Sequence, residues 1–317
     1  MTLGLLADIG ATNCRFALAD ESGISDETNL LCADYKSLEE AMRAYLQDKK
    51  PVLAVFDIAA PVTGDKVVMT NHPWEFSIES IKQQFSLKIF EVMNDFKAVA
   101  LAIPPMAEKY KMKIGSNGTP VKNAPIGILG PGTGLGVASL VSVDGHYHAV
   151  PGEGGHVTVP VKTQREFDMV QALHSKYRHV SAERVCSGKG LVNIYNALRV
   201  LDMRADLPNL SAEEISTKAM EKSCGLCDES LTMMLGFLGT VAGNLAVTLG
   251  AFGGIYIAGG IPMKLGEYFF NSSFRKDFET KGRYEEYLRD IPTYLVTHPN
   301  IAFEGLYAEY QRLLTTA

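Results

Sequence analysis

The chain has 317 residues, a length that suggests two domains, and 46% of them are hydrophobic while 21% are charged. This balance is typical of a globular protein with a large apolar core and excludes a wholly disordered chain. The formal net charge is -6, and Lys and Arg are scattered without a long basic run, so we expect no nucleic-acid partner.

The first third of the chain is predicted to be an α/β region. Its expected elements are strand 3–7, turn 8–13, strand 15–19, helix 38–46, strand 52–60, helix 78–85 and strand 89–93. Strand 52–60 is continuously apolar except for Asp57, which is typical of a buried parallel strand. Strand 89–93 leads directly into Asn94 and Asp95.

The composition changes near residue 105, where Pro104-Pro105 precedes a polar stretch that ends at Pro125. We expect a linker or domain boundary there. The elements expected afterwards are strand 126–129, glycine-rich turn 130–136, strand 137–143, helix 191–201, a more buried helix 231–249 and strand 255–258. The strand-turn-strand device therefore occurs twice, which suggests two related halves. We predict one small domain from residues 1–105 plus 298–317 and one large domain from residues 106–297.

Both glycine turns are candidates for phosphate binding, because glycine lets backbone N–H groups approach an anion closely. Neither turn leads into a helix, the GxxxxGK[ST] pattern is absent, and Leu135 stands where a Rossmann motif requires glycine. We therefore expect two hairpin turns, one from each half, to bind the phosphates of one nucleotide. Two ordinary glycine hairpins are the alternative interpretation.

The polar residues beside these turns suit the same chemistry. Asp8 stands at a strand end, where its carboxylate could hold Mg²⁺ through water, because Mg²⁺ keeps several waters and takes only one or two carboxylates. Thr12, Asn13 and Thr133 offer short donors next to the glycine backbone. This polar content favours phosphate binding over plain hairpins.

Asp95 is the candidate catalytic base. It follows an apolar strand, and α/β proteins bind ligands at the carboxyl ends of their strands. One aspartate that accepts a hydroxyl proton suffices for phosphoryl transfer, because positioning and charge neutralisation supply most of the catalysis. A simple turn formed by Asn94 and Asp95 is the alternative.

Three further side chains suit a small polar ligand such as a sugar. Glu153 and His156 lie in the glycine-rich loop 151–156, and Glu183 follows Ser181-Ala182. Sugar hydroxyls both donate and accept hydrogen bonds, so carboxylates and imidazoles suit them. For Ser181 and Glu183 the alternative is a helix N-cap with a first-turn acid. The only tryptophan, Trp74, is expected to pack in a core rather than to border the sugar.

The cysteines and the ends of the chain bear on location. The five cysteines are sparse and odd in number, which fits a reducing compartment, and Cys224-Gly-Leu-Cys227 has redox or zinc spacing but is expected to be structural. We count no stretch of 18 apolar residues and expect no membrane span. Asp8 interrupts the first apolar run and no basic leader precedes it, so we expect no secretory signal and a cytoplasmic protein.

Taken together, these motifs resemble those of the bacterial glucokinase family, within the hexokinase, Hsp70 and actin-like superfamily, from Leu5 to about Pro299. The matching segments are Asp8–Asn13, Met69–Trp74, Asn94–Phe96, Gly130–Gly136, Pro151–His156, Ser181–Val185 and Gly253–Ile261. The resemblance implies an α/β fold of two actin-like (ribonuclease H-like) domains with a cleft between them, closure over the sugar, and a homodimer.

The resemblance also implies roles for individual residues. Glucose would be bound by Asn94, Asp95, Glu153, His156 and Glu183. ATP would be bound by Asp8, Ile9, Gly10, Ala11, Thr12, Asn13, Gly132, Thr133, Gly134, Gly259 and Gly260. Asp95 would activate O6 of glucose for attack on the γ-phosphate of MgATP.

Several positions depart from the family pattern. Ala11 replaces a glycine, Pro131 an alanine and Lys189 a proline, and the tail 301–306 lacks a glycine-rich ending. Residues 157–179 contain no cysteine, so the zinc site of the related ROK kinases is not expected. Open alternatives are another hexose (fructose, mannose or glucosamine), polyphosphate or ADP as donor, and a sugar-responsive regulator. The regulator is disfavoured because the first phosphate strand begins at residue 3.

Overall fold

The structure is a computed structural model that describes residues 2–69, 72–115 and 118–316. The chain divides into two compact units. Unit 1 consists of Met1–Met106 together with His298–Ala317, and unit 2 consists of Ala107–Thr297.

Each unit combines strands with helices. The first segment of unit 1 contains β1 (Gly4–Ile9), β2 (Asn13–Asp20), β3 (Gly23–Leu31), α1 (Leu38–Leu46), β4 (Leu53–Ile58), β5 (Lys66–Val68), β6 (Glu75–Ser77), α2 (Ile78–Gln84), β7 (Ile89–Asn94) and α3 (Asp95–Ala102). Unit 2 contains β8 (Lys111–Lys113), β9 (Ile126–Pro131), β10 (Leu135–Val143), β11 (His146–Gly152), α4 (Gln164–His174), α5 (Gly188–Leu201), α6 (Ala212–Met220), α7 (Gly225–Leu249), β12 (Ile255–Ile257), α8 (Gly260–Leu265), α9 (Glu267–Phe270), α10 (Phe274–Glu279), α11 (Glu285–Arg289) and β13 (Thr293–Val296). The chain then returns to unit 1 in α12 (Ile301–Thr316).

The main sheet of unit 1 has the strand order β3-β2-β1-β4-β7. The hairpin strands β1, β2 and β3 are antiparallel, whereas β1, β4 and β7 run parallel. Every residue of β4 is buried, as expected for a strand covered on both faces. Because parallel strands end at the same edge of a sheet, the residues that close β1, β4 and β7 are brought together.

The C-terminal helix α12 is an integral part of unit 1. It buries Phe303, Leu306 and Tyr310, and the Tyr310 hydroxyl donates to the carbonyl oxygen of Thr2 at 2.5 Å. Gly305 lies so close to the backbone of Ala98 in α3 that a Cβ there would collide with its carbonyl group. The tail therefore uses its glycine for helix packing.

The sheet of unit 2 has the order β11-β10-β9-β12-β13-β8. Its strand β8 lies in the segment that the sequence predicts to be a linker or a domain boundary, and it pairs antiparallel with β13. The linker interpretation is wrong for residues 111–113. The pattern Lys-Met-Lys is too short and polar to indicate a strand, and pairing along β13 supplies the hydrogen bonds that order it.

Helix α7 is the core helix of unit 2, and it begins six residues before the predicted apolar run. By length and composition it could cross a membrane, so the premise that no apolar stretch reaches that length is wrong. However, 67% of the most apolar window is buried inside the structure, and buried core helices pass the same test. Its apolar side chains pack within unit 2, beside α5, α6 and α10.

Both predicted strand-turn-strand segments are confirmed, but both turns are shorter than expected. Between β9 and β10 the pairs Gly130–Gly136 and Pro131–Leu135 leave only residues 132–134 outside the strands, so the expectation that residues 130, 131, 135 and 136 are turn residues is wrong. The ladder between β1 and β2 continues through the pairs Asp8–Arg15 and Ile9–Cys14, which leaves only residues 10–12 outside the strands. The amide of Gly10 donates to the carbonyl of Asn13 and closes the turn at 2.9 Å. The expectation that Asp8, Ile9 and Asn13 are turn residues is therefore wrong.

Candidate functional site

Unit 1 gathers three aspartates near the edge of its sheet where the parallel strands end. Asp8 on β1 lies in register with Asp57 on β4, and Ile58 of β4 lies in register with Asn94, after which Asp95 opens α3. Asp8 forms an ion pair with Arg15, at 2.8 Å between Oδ2 and Nη1. This edge therefore carries a concentration of negative charge with one nearby guanidinium.

Asp95 is half-buried in the first turn of α3. The side chain of Asn94 caps this helix, since its Oδ1 accepts the amide N–H of Phe96 at 2.9 Å, and Asp95 Oδ1 accepts the same N–H at 2.8 Å. The strand-to-helix junction thus holds both side chains by local hydrogen bonds. The predicted turn role and the predicted chemical role are compatible, because each carboxylate oxygen has more than one lone pair.

Asp57 is a candidate functional residue that the sequence analysis missed. Its side chain is fully buried, and no donor among the described residues reaches either carboxyl oxygen, although a protonated Asp57 can donate to the neighbouring Asp8 carboxylate. Burial raises its pKa well above the usual value, and the negative charges of Asp8 and Asp95 raise it further. Burial without a donor and the neighbouring carboxylates both favour the neutral form of this carboxyl over the ionised form. The only signal in the sequence was one acid inside an apolar strand.

The first glycine turn is fixed by contacts from the end of β3. The backbone N–H of Cys32 donates to the Thr12 carbonyl at 2.9 Å, and the Cys32 thiol points to the Gly10 carbonyl at 3.4 Å. Asn29 also donates from its side chain to Asn13 Oδ1 at 3.2 Å. Thr12 is exposed while Gly10 and Ala11 are half-buried, so the turn presents its backbone and a hydroxyl to solvent.

The second glycine turn, between β9 and β10, is approached by other parts of unit 2. The N–H of Gly132 donates to the Gly134 carbonyl at 2.8 Å, and the N–H of Gly188 donates to the Gly132 carbonyl at 2.9 Å. Glu183 reaches the same turn, where its Oε2 accepts the N–H of Leu135 at 3.0 Å. Thr133 remains exposed at the tip.

Two more predicted segments of unit 2 approach this turn through glycines. A Cβ on Gly259 would lie 2.8 Å from the backbone nitrogen of Pro131, and a Cβ on Gly155 would collide with the carbonyl of Leu135. Gly260 follows at the start of α8 and has open space where its Cβ would be. The loop of the sugar motif and the loop of the adenosine motif therefore both depend on glycine to reach the turn.

The remaining sugar-site candidates belong to a short 3-10 turn, Gly154–His156, that follows β11: Glu153 is its N-cap residue and His156 is its last residue. The side chains of Glu153 and His156 are 71% and 58% exposed, and 3.8 Å separates Oε2 from Nε2. They are thus available to a ligand. Ser181 stands at the N-cap of the 3-10 helix Ala182–Arg184 and Glu183 lies in its first turn, as the alternative interpretation predicts, but the Ser181 side chain makes no cap hydrogen bond. Ser187, by contrast, caps α5 with its side chain.

The tryptophan motif is only partly described, because Thr70 and Asn71 lie outside the described residues. Trp74 itself is 4% exposed in the core of unit 1, and its indole N–H donates to the Tyr35 carbonyl at 3.3 Å. The packing interpretation of Trp74 is confirmed. His72 packs against it in an edge-to-face arrangement.

For metals, no group of three or more His, Cys, Asp or Glu side chains within residues 2–69, 72–115 and 118–316 is arranged to hold an ion. The donor chemistry beside the first turn nevertheless fits Mg²⁺ bound mainly by water and phosphate. Asp8 offers one carboxylate there, and the neutral Asp57 adds no second full charge.

The chain is similar to known glucokinases both in sequence and in structure. The family model Glucokinase matches residues 5–313. The glucokinase of Aromatoleum aromaticum is 45% identical over 99% of this chain and 93% of its own length, and that of Photorhabdus laumondii is 43% identical over 95% of each. A crystal structure of a glucokinase from an Antarctic psychrotroph matches with a TM-score of 0.90 at 35% identity, covering 98% of this chain and 99% of its own. The predicted α/β fold class is confirmed.

Proposed function

The chain belongs to the glucokinase family, and from this we propose that it transfers the γ-phosphoryl group of ATP to O6 of glucose, giving ADP and glucose 6-phosphate. The observation that carries the proposal is Asp95, half-buried at the end of β7 and held by the first turn of α3. A carboxylate with a defined orientation at this edge is suited to accept a hydroxyl proton.

The assigned role of Asp95 is that of the base. It accepts the proton of O6 as that oxygen attacks the γ-phosphorus and the bond to the β-phosphate oxygen breaks. Asn94, fixed as the cap of α3, orients a sugar hydroxyl beside it. The raised pKa of Asp57 supports this assignment. A third ionised carboxylate at this edge would repel both the phosphates and the negative charge that develops during phosphoryl transfer.

The nucleotide is assigned to the two glycine turns and to the loop that opens α8. Ile9, Gly10, Ala11, Thr12 and Asn13 contribute the first turn, Gly132, Thr133 and Gly134 the second, and Gly259 and Gly260 the adenosine loop. Asp8 would hold Mg²⁺ through water, and Arg15 keeps its carboxylate in place. When bound, Mg²⁺ neutralises charge on the β- and γ-phosphates.

The sugar is assigned to Glu153, His156 and Glu183 together with Asn94 and Asp95. Glu183 connects the sugar motif to the second glycine turn, since its Oε2 accepts a hydrogen bond from the Leu135 N–H. Its other oxygen can accept a sugar hydroxyl, so a single carboxylate joins the two motifs. The proposal also includes a homodimer, as the family resemblance implies, and a cytoplasmic location, for which the sparse free cysteines are the support.

The test is ADP release, coupled to an indicator enzyme, with glucose, fructose, mannose and glucosamine for the intact protein and Asp95→Asn. Asparagine keeps an oxygen for the Phe96 N–H, so the α3 cap is preserved while the base is lost. We expect glucose to give the highest kcat/KM and the variant to lose about 10²–10⁴-fold in kcat. Glucose binding, measured by calorimetry, should stay detectable.

Each alternative has its own outcome. A near-wild-type kcat in Asp95→Asn would refute the base assignment. A higher kcat/KM with another hexose would change the substrate, and turnover with polyphosphate or ADP but not ATP would change the donor. DNA binding in a gel-shift assay without turnover on any hexose would favour the regulator. Light scattering of the purified chain tests the homodimer.

A further inference from the structure

The Cys224-Gly-Leu-Cys227 segment has no part in the phosphoryl-transfer chemistry. Cys224 is the N-cap of α7, and its Sγ accepts the backbone N–H of Cys227 at 3.3 Å. The sulfur atom is therefore turned over the first turn of the helix, on the side of Cys227. The Cys227 thiol is within hydrogen-bonding reach of the Cys224 side chain, so the two sulfur atoms are neighbours.

The two thiols differ in their access to solvent. Cys227 is fully buried, whereas Cys224 is half-buried and lines a cavity of about 340 Å³. The remaining cysteines of the described chain are also fully buried, namely Cys14, Cys32 and Cys186. Cys224 is therefore the thiol within the described residues that a small molecule can reach.

The cavity beside Cys224 has a chemistry of its own. Lys218 at the end of α6 and Arg204 line it together with the apolar side chains of Leu207 and Leu226. Arg204 is paired with Asp206 at 2.9 Å, which leaves Lys218 and the N-terminal amides of α7 as the groups that favour an anion. A disulfide reagent that carries carboxylates would therefore bind at this cavity better than a cationic disulfide.

We propose that Cys224 and Cys227 form a thiol–disulfide exchange site that accepts a small anionic disulfide of the glutathione class. The Cys224 thiolate attacks one sulfur of the reagent, forming a mixed disulfide and releasing one reagent thiol. Cys227 then loses its proton and attacks the Cys224 sulfur, forming the Cys224–Cys227 disulfide and releasing the second thiol. Two electrons pass from the cysteine pair to the reagent.

The order of attack follows from the surroundings of the two thiols. Burial, and then the adjacent Cys224 thiol, raise the pKa of Cys227 to about 12, so Cys227 is a poor first nucleophile. Once Cys224 is in a mixed disulfide, its sulfur can no longer carry a negative charge or share a proton with Cys227. The contribution of Cys224 to the raised pKa of Cys227 is then lost, and Cys227 ionises more readily. The accessible thiol therefore reacts first and the buried thiol resolves the adduct.

Zinc binding would be the other chemistry of this spacing, but it needs further ligands. Around this pair, as elsewhere in the described part of the chain, no group of three or more His, Cys, Asp or Glu side chains is arranged to hold a metal. Thiol exchange needs only the pair and an access route, both of which are present.

The test is incubation of the intact protein with oxidised glutathione, acid quenching and mass spectrometry. The wild type should lose the mass of two hydrogens, with the new disulfide mapped to Cys224–Cys227. Cys227→Ala should accumulate one glutathionyl group on Cys224. Cys224→Ser should acquire neither, and it should fold, because serine is a preferred N-cap. Circular dichroism and ADP-release activity check that both variants are folded.

A second arm tests the charge preference. Lys218→Gln should slow the reaction with oxidised glutathione by about two- to fivefold, the effect expected of one partly exposed charge. It should not slow the reaction with cystamine, a cationic disulfide. A disulfide mapped to Cys14–Cys32, or no adduct on Cys224 in folded Cys227→Ala, would overturn the site. Equal slowing with both reagents would overturn the anionic class.

Discussion

The substitution Asp57→Asn should stabilise unit 1 increasingly as the pH rises. Asp57 is fully buried and no donor among the described residues reaches it, and burial together with the neighbouring Asp8 and Asp95 raises its folded-state pKa above the usual 3.8. Below the unfolded pKa the carboxyl is protonated in both states and adds no pH dependence. Above it the unfolded chain ionises while the folded carboxyl stays protonated, so wild-type stability falls with pH.

The magnitude follows from proton linkage. Between the unfolded and the folded pKa one proton separates the two states, which lowers the free energy of unfolding by about 1.4 kcal/mol per pH unit. Asparagine has no such proton. The stability difference between Asp57→Asn and the wild type should therefore grow by about 1.4 kcal/mol per pH unit from about pH 4, and it should level off at the folded pKa.

The protein carries its own probe for this measurement. Trp74 is the only tryptophan and is 4% exposed in the core of unit 1, so its fluorescence during urea unfolding reports on that unit. A matched control of opposite sign is Asp65→Asn. The Glu79 N–H holds the Asp65 pKa below its usual value, so that carboxylate contributes stability above the unfolded pKa, and this contribution is lost as the pH falls.

The reasoning would be refuted if the stability difference between Asp57→Asn and the wild type stayed constant from about pH 4 to pH 8. That result would mean that Asp57 is ionised in the folded protein despite its burial. The neutral-carboxyl role in the proposed active site would then be wrong as well.

Two further substitutions test the organisation of unit 2. Gly134→Ala would place a Cβ 2.5 Å from Glu183 Oε2, so the KM for glucose, measured by initial rates, should rise. The control is Gly132→Ala, whose Cβ meets nothing within 4 Å and which should leave the KM for glucose unchanged. Arg275→Lys removes a guanidinium, 12% exposed, that donates to four backbone or hydroxyl oxygens besides its carboxylate. Arg275→Lys should lower the free energy of opening measured by amide hydrogen exchange in α10 and α11 by about 2–4 kcal/mol. The control Arg289→Lys, at an exposed arginine, should lower it by less than about 1 kcal/mol.

Several features of this protein are local and could be predicted from the sequence. The strands around both glycine turns, helix α1 and strand β7 follow from short-range patterns of apolar and polar residues, and the structure confirms them. The family was recognisable for the same reason, because its motifs are short runs of glycine and polar residues in a set order. The assignment of individual site residues stays a prediction.

Tertiary structure alone decided the features that depend on distant parts of the chain. Asp57 became notable because β1 pairs with β4 in a register that sets it beside Asp8, and burial without a donor changes its chemistry. Glu183 binds the amide of a residue 48 positions away. Strand β8 exists because β13 offers it hydrogen bonds.

The cysteine pair shows the same division. Its spacing was visible in the sequence, but the cavity beside Cys224 and the burial of Cys227 were not. The sequence by itself determined the class of fold, the hairpin turns and the family, because these depend on neighbours along the chain. Register, burial and pKa were decided by the fold, because they depend on which residues meet in space.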